Sequence, residues 1–271
     1  MNNQLNLFNN HQLIKLSCSK VKTFDGCKAQ YRYNYIEKLP KKDWEHHALG
    51  QFVHKILEDF HQEYINKSQE PFAKTMAKVY KAAYQEFKNK LSIESKKEAR
   101  NIIGAYLKRI SLNRKEVDNV ISVEKKFELK LADNVILTGM IDKVQIDDDN
   151  VVHVCDYKTI KNKKYLKDDF LQLQTYAYVL MMEDPSIQNI RTSYILLRHN
   201  FQYFTKEYTR KDIINIGDIY IKYASDINTE ELWRPNPSIL CKYCDFLDVC
   251  MTGKKFLNQD QKNMIYGKIE W

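Results

Sequence analysis

An α/β fold behind a mostly helical N-terminal region is the class this sequence predicts, on three patterns. Apolar residues recur at helical spacing up to about residue 117, β-branched and alternating runs take over after it, and two further helical stretches are set among those strands. Leu49, Phe52, Val53, Ile56, Leu57, Phe60 and Tyr64 place a helix over residues 46–66. Phe72, Met76, Val79, Ala83 and Phe87 place a second over 72–90, and Ile102, Ile103, Tyr106 and Ile110 a third over 97–117. Strands over 121–131, 135–146 and 151–158 read as a meander, with Asp147-Asp148-Asp149-Asn150 as the turn before the last. A helix over 168–182 ends near Asp184-Pro185, strands over 190–197 and 201–208 follow, and a last helix covers 210–227.

The chain has 271 residues, 44% of them hydrophobic, enough for one sizeable core. No apolar run approaches the roughly 20 residues that span a bilayer, and residues 1–10 lack the apolar stretch of a secretory signal, so a cytoplasmic or otherwise intracellular setting is expected. With 43 Lys and Arg against 35 Asp and Glu the net charge is +8, which favours an anionic partner. Basic residues mix with aromatics over 20–42, where Tyr31, Arg32, Tyr33 and Tyr35 are interleaved, and lysines crowd 158–167. Either stretch suits a phosphate backbone and stacked bases, and a solvated helix face accounts for either about as well. No repeat, low-complexity tract or long Pro/Gly-rich linker divides the chain.

The chemistry gathers at Asp156-Tyr157-Lys158. On a strand, Val152, Val154, Asp156 and Lys158 share one face, so a carboxylate and an ammonium project side by side. On the preceding strand Met140, Asp142, Val144 and Ile146 share a face, and Gly139 allows a close backbone approach. If the Asp-rich turn closes a hairpin, Asp142 meets Asp156. Two hard oxygen ligands suit Mg²⁺ or Mn²⁺ holding substrate phosphate, and Lys158 could orient or deprotonate the attacking water. This is the pattern of a metal-dependent nuclease; an exposed strand-end ion pair beside a turn residue is the bland reading of the same residues.

Cys241-Lys242-Tyr243-Cys244 followed by Cys250 places three thiols at metal-ligand spacing, where a reduced compartment gives disulfides no role. The fourth ligand is Cys18 or Cys27, while Cys155 sits on a strand facing away from the acidic pair. Four thiolates hold Zn²⁺ or an iron–sulfur cluster, and on spacing alone zinc is slightly favoured. Tying Cys27 to Cys241 closes a loop of roughly 200 residues and restricts the unfolded chain by roughly 5 kcal/mol.

Taken in order, these residues resemble the RecB-type nuclease family of the PD-(D/E)XK superfamily, in its iron–sulfur branch, which includes CRISPR-associated RecB-like exonucleases and the AddB nuclease domain. Ser17-Cys18-Ser19-Lys20-Val21 with Phe24 and Cys27 resembles the N-terminal element, and Gly50-Gln51-Phe52-Val53-His54 with Leu57-Glu58 the first nuclease motif. Gly139 to Asp142 resembles the second, Asp156-Tyr157-Lys158-Thr159 the third, and Gln172-Leu173-Gln174-Thr175-Tyr176-Ala177 the motif that follows. Cys241, Cys244 and Cys250 match the C-terminal cluster triad. Lys28 departs from the family's Pro after the first cluster cysteine, which favours Cys27 but keeps Cys18 as an alternative.

The resemblance implies a restriction-endonuclease-like mixed-sheet core flanked by helices, with an N-terminal helical region and a cysteine-bound cluster joining the N- and C-terminal segments. It implies one nuclease domain over 1–271, comprising a cluster and DNA segment (17–45), a helical region (46–118), the core (119–228) and a C-terminal cluster segment (229–271). By resemblance His54, Asp142, Asp156 and the Tyr157 carbonyl hold Mg²⁺ or Mn²⁺, and Lys158 positions the nucleophile. Gln172 steadies the site, Tyr176 packs behind it and Glu58 orients the His54 imidazole. Cys27, Cys241, Cys244 and Cys250 bind a [4Fe–4S] cluster, with Zn²⁺ as the alternative. The implied activity is exonucleolytic cleavage of single-stranded DNA, 5′ to 3′, in repair, recombination or CRISPR adaptation. No Gly-x-x-x-x-Gly-Lys-Ser/Thr loop is present, so a helicase or a CRISPR integrase would be a partner rather than a fused motor. The alternative function is a non-catalytic, cluster-stabilised DNA-binding or scaffolding subunit.

Overall fold

The structure is a computed structural model that describes residues 13–42, 44–166 and 170–266. Its six strands are β1 (Ile14–Leu16), β2 (Val120–Ala132), β3 (Val135–Ile146), β4 (Val152–Lys158), β5 (Asn189–Leu196) and β6 (Gln202–Thr209). They form one mixed sheet in the order β1-β3-β4-β5-β6, with β2 also paired to β3. β1 runs parallel to the start of β3, β3 and β4 are antiparallel, β4 and β5 are parallel, and β5 and β6 are antiparallel. Residues 153–157 of β4 are buried on both faces, which is why the strand reads as a nearly continuous run rather than an alternation. The mixed α/β class expected from the sequence is what the chain adopts, with helices flanking the sheet.

The chain separates into two compact units. The larger, residues 43–129 and 138–217, holds α3 (Glu45–Ile65), α4 (Phe72–Phe87), α5 (Ile93–Leu112), α6 (Lys115–Asp118), α7 (Leu171–Glu183) and α8 (Arg210–Ile213). The apolar faces of α3, α4 and α5 close on one another through Phe52, Phe60, Met76 and Ile103, and their cluster continues onto Cys155 and Tyr157 of β4. The opposite face of β4, which carries Asp156, is met by α7. Phe127 lies over Gly139, where a Cβ would stand 2.4 Å from its ring; the close approach expected at this glycine is by a ring, not by backbone.

Between β4 and β5 a buried polar chain replaces apolar packing. Asp147 accepts from His153 Nδ1 at 2.9 Å, and His153 Nε2 lies 2.7 Å from Ser193 Oγ, which lies 2.7 Å from Thr205 Oγ1. Ser193 is fully buried, so this chain ties strands together.

The smaller unit, residues 1–42, 130–137 and 218–271, holds α1 (Cys18–Gly26), α2 (Lys28–Tyr31), a π-helical turn (Arg32–Ile36), most of α9 (Ile216–Asn228) and α10 (Met251–Tyr266). Ser17 caps α1 by accepting from the Lys20 N–H. Phe24 packs edge-on to Tyr31, Tyr223 and Trp233, and Tyr31 stacks on Trp233 at 6.0 Å.

Two expected helices are divided. Asn113 leaves helical backbone and ends α5 before α6, and the stretch over 210–227 becomes α8, opened by a Thr209–Asp212 capping box, and α9. Lys167 and Asp168, counted in the basic stretch and the helix over 168–182, lie outside the described residues, as do residues 1–10.

Candidate functional site

The β3–β4 register places Lys143 opposite Cys155, which makes Asp142 and Asp156 neighbours at the next pair. The Tyr157 N–H donates to Asp142 Oδ2 at 2.7 Å. Lys158 Nζ stands 2.6 Å from Asp156 Oδ2, an oxygen that accepts no well-angled hydrogen bond. Gln172, the second residue of α7, joins both partners: its Oε1 accepts from Lys158 at 3.0 Å and its Nε2 donates to Asp156 Oδ1 at 2.8 Å. The same Nε2 lies 2.8 Å from Tyr176 Oη, four residues on along the helix, and the Tyr176 ring packs edge-on to Phe127. Gly139, Phe127, Tyr176 and Gln172 therefore form a packed line that ends on Asp156.

His54 comes from α3. Its ring packs edge-on to Tyr157 at 5.6 Å, its Nδ1 is 3.6 Å from Asp142 Oδ2, and it is within reach of the Tyr157 carbonyl. At 3.6 Å the His54–Asp142 pair is not hydrogen-bonded. Burial lowers the imidazole's pKa, while burial and then the neighbouring Asp156 raise that of Asp142 well above the ordinary carboxylate range. Neither group is at ease charged without a cation between them, so the pair is better read as a neutral imidazole beside a hindered carboxyl than as an ion pair.

Glu124 completes this group, and the sequence reading missed it. It lies in β2 at a φ of 45°, a left-handed conformation costly for a residue with a Cβ, and its donor oxygen falls within 4.8 Å of those of His54 and Asp142. Burial and then Glu58 push its pKa up to about 7. Its neighbours Lys125, Lys126 and Glu128 make the segment read as a solvated strand, which hid it. Glu58, expected to orient His54, instead pairs with Lys55 at 3.3 Å and makes no hydrogen bond to the imidazole: a cation three residues away on the same helix face captures it. Lys161, Lys163 and Lys164 are exposed just beyond β4, with Lys163 bonded to Gln202.

In the smaller unit Cys27, Cys241, Cys244 and Cys250 line one cavity, together with Tyr33 and Leu247. Each sulfur accepts a backbone N–H: Cys27 from Asn236, Cys241 from Ser238 and Cys250 from Gly253, all at 3.4 Å, and Cys244 from Phe246. Burial raises the pKa of the Cys244 thiol, against the pull of the Phe246 N–H. A Cβ on Gly253 would lie 3.3 Å from Leu247 Cδ1 and at an ordinary contact distance of 3.5 Å from both Cys241 Sγ and Cys250 Sγ. No three of the described cysteine sulfurs come within 4.8 Å of one another. Tetrahedral zinc, with Zn–S near 2.3 Å, would draw its sulfurs to about 3.8 Å. Cys18 is buried and does not line this cavity, and Cys155 is enclosed in the helical cluster, where burial pushes its thiol up to about 12.

A family model described as the PD-(D/E)XK nuclease superfamily matches residues 15–251. The chain belongs to that superfamily. Nucleases of this kind use divalent metals and act on DNA, and His54, Glu124 and Asp142 form a group that could hold such a metal. No curated protein matches the chain significantly. Among solved structures, that of a "Putative exonuclease" from Eubacterium rectale is 13% identical and covers 85% of this chain and 86% of its own, with a TM-score of 0.52, a likeness of fold. That of SSO0001 is 14% identical and covers 91% of this chain and 88% of its own, with a TM-score of 0.39. Among the described residues no helix is long and apolar enough to cross a membrane.

Proposed function

We propose that this PD-(D/E)XK protein is a RecB-type DNA nuclease of the iron–sulfur branch, a single-stranded DNA exonuclease acting 5′ to 3′ with Mg²⁺ or Mn²⁺. The observation that carries the reading is the meeting of His54, Glu124 and Asp142 beside the Asp156–Lys158–Gln172 triangle. His54, Glu124, Asp142, Asp156 and the Tyr157 carbonyl are the residues that would hold the metal, which when bound acidifies water and neutralises charge on the phosphoryl group.

The chain's own groups do the rest. Gln172 fixes Asp156 and Lys158 with the two ends of one amide, so the ammonium is presented at a set place for an incoming water. Tyr176 holds that amide in its orientation. The four-cysteine cavity would hold a [4Fe–4S] cluster, with Cys27 rather than Cys18 as the N-terminal ligand, and its role would be to hold distant segments together. Lys161, Lys163 and Lys164 would meet phosphates, with a helicase or a CRISPR integrase as a partner that delivers DNA ends.

The test is incubation of pure protein with end-labelled single- and double-stranded DNA, with and without Mg²⁺ or Mn²⁺. Metal-dependent shortening of the single strand from its 5′ end is expected. Binding without cleavage in either metal would overturn the nuclease reading in favour of a scaffolding subunit.

A further inference from the structure

Three sulfurs of the cysteine site come from one short C-terminal stretch and the fourth from near the start of the chain, so something must hold Cys27 in place. Local structure fixes its backbone but gives its sulfur no partner. Cys27 joins α1 to α2 in extended backbone (φ −164°, ψ 110°), its N–H donating to the Thr23 carbonyl at 2.9 Å and its carbonyl accepting from the Tyr31 N–H at 3.0 Å, which leaves the sulfur to partners from elsewhere in the chain.

The tripeptide Pro235-Asn236-Pro237 lines the same cavity. Proline has no N–H and fixes its own φ, so Asn236 supplies the only backbone donor of the three and is set between two stiff neighbours. That donor is spent on Cys27 Sγ, at 3.4 Å. The Asn236 side chain donates through Nδ2 to the carbonyl of Gly26, the residue before Cys27, at 3.1 Å. Directly after the tripeptide, the Ser238 N–H reaches Cys241 Sγ at 3.4 Å. One short strap, residues 235–238, thus bonds once to the Cys27 sulfur, once to the Gly26 carbonyl before it and once to the C-terminal group.

We propose that Pro235-Asn236-Pro237 is the clamp that makes Cys27 the fourth ligand of the thiolate site, with Asn236 as its positioning residue. This rests on the reading that the four cysteines hold a metal centre. The backbone amide donates to the sulfur itself, and the side-chain amide fixes the peptide from which that sulfur projects. Asn alone among similar residues does both, because Asp would set an oxygen against the Gly26 carbonyl where the amide nitrogen now stands.

The experiment compares wild type, Asn236→Ala and Asn236→Asp, with Cys27→Ser as the reference for a missing ligand. Two readouts are taken: the rate at which a chelator bleaches the visible absorbance of anaerobically purified protein, and the rate at which iodoacetamide alkylates Cys27 in metal-free protein, followed by peptide mass. Both variants should bleach roughly three- to tenfold faster, the worth of one ordinary hydrogen bond, with Asp the faster. Cys27 should alkylate faster by a similar factor while Cys241 stays unchanged. Wild-type behaviour of Asn236→Asp in both readouts would overturn the clamp, since a residue that only fills space tolerates an isostere. Should wild type itself hold neither iron nor zinc, the metal-centre reading falls and alkylation alone judges the clamp, equal rates overturning it. If Asn236→Asp does not fold, Pro237→Ala, which loosens the strap and keeps Asn236, should speed both processes, and unchanged rates there count against the proposal.

Discussion

At the acidic site side chains from regular strands and helices bond to one another: Gln172 to Asp156 and Lys158, and Tyr176 to Gln172. At the cysteine site the sulfurs are held by backbone N–H groups, two of them from the strap that ends in Ser238. The first arrangement puts chemistry on a scaffold that other residues stabilise. In the second, aromatic packing of Phe24 and Tyr31 on Trp233, of Tyr33 on Phe246, and the Lys42–Asp248 pair already join the N-terminal cysteine's segment to that of the C-terminal triad, and a bound centre would add a further closure of the same loop. Losing a side chain should therefore cost activity in one place and stability in the other.

Cys27→Ser is the sharpest way to break that contrast. It should lose its metal and lower stability by up to roughly 5 kcal/mol, the entropy of opening the loop to Cys241. Iron content and the midpoint of denaturant unfolding, measured together, check it. An unmoved midpoint after loss of iron would mean that the centre is not structural.

Asp156→Ala tests the other half. Cleavage should fall about a thousandfold, equivalent to ~4 kcal/mol of barrier, while melting stays near wild type because Lys158 keeps Gln172 Oε1 as an acceptor. Loss of folding in step with loss of activity would erase the distinction between the two sites.

A third prediction concerns pH and a residue outside both sites. Burial, outweighing the nearby Asp147, lowers His153 from 6.5 to about 4. The folded state therefore keeps this imidazole neutral where the unfolded chain protonates it. Its contribution is complete above about pH 6.5 and is lost as pH falls towards 4, by at most about 3 kcal/mol. Urea midpoints at pH 7.5 and 4.5 should differ, and less so in His153→Asn. A cleavage rate that falls with acid while the midpoint holds would place the acid sensitivity in the active site instead.

What the sequence disclosed follows from periodicity. Asp142, Asp156 and Lys158 were legible because a strand's alternation and one Asp-rich turn determine which residues face each other. The helix α3 was legible through seven apolar positions. The segments around the cysteines were not: α1 has too short an apolar pattern, with Val21 and Phe24 as its repeat, and α10 is rich in Lys, Asn and Gln. Spacing named three of the thiols but left Cys18 and Cys27 as alternatives, since the strap that meets Cys27 lies about 200 residues away. Glu58 misled for a simpler reason: i,i+4 spacing shows that a contact is within reach, not which partner wins, and Lys55 won.

Glu124 is where the two modes of construction meet, a carboxylate on a strand whose own backbone is strained. Glu124→Gln keeps its shape and removes its charge. If the residue donates to the metal, the Mg²⁺ or Mn²⁺ concentration giving half-maximal cleavage should rise about 10- to 100-fold, with much less change at saturating metal. Stability of the metal-free protein should move the other way. A carboxyl raised to about 7 in the fold but near 4.5 when unfolded must take up a proton on folding, so its penalty grows as pH rises from 4.5 to 7 and is complete above that. The Gln variant escapes it, and without metal should unfold at a higher midpoint than wild type at pH 8, with no advantage at pH 4. A variant whose metal dependence is unchanged but whose midpoint still rises at pH 8 would leave Glu124 a strained neighbour of the site and take it out of the metal group.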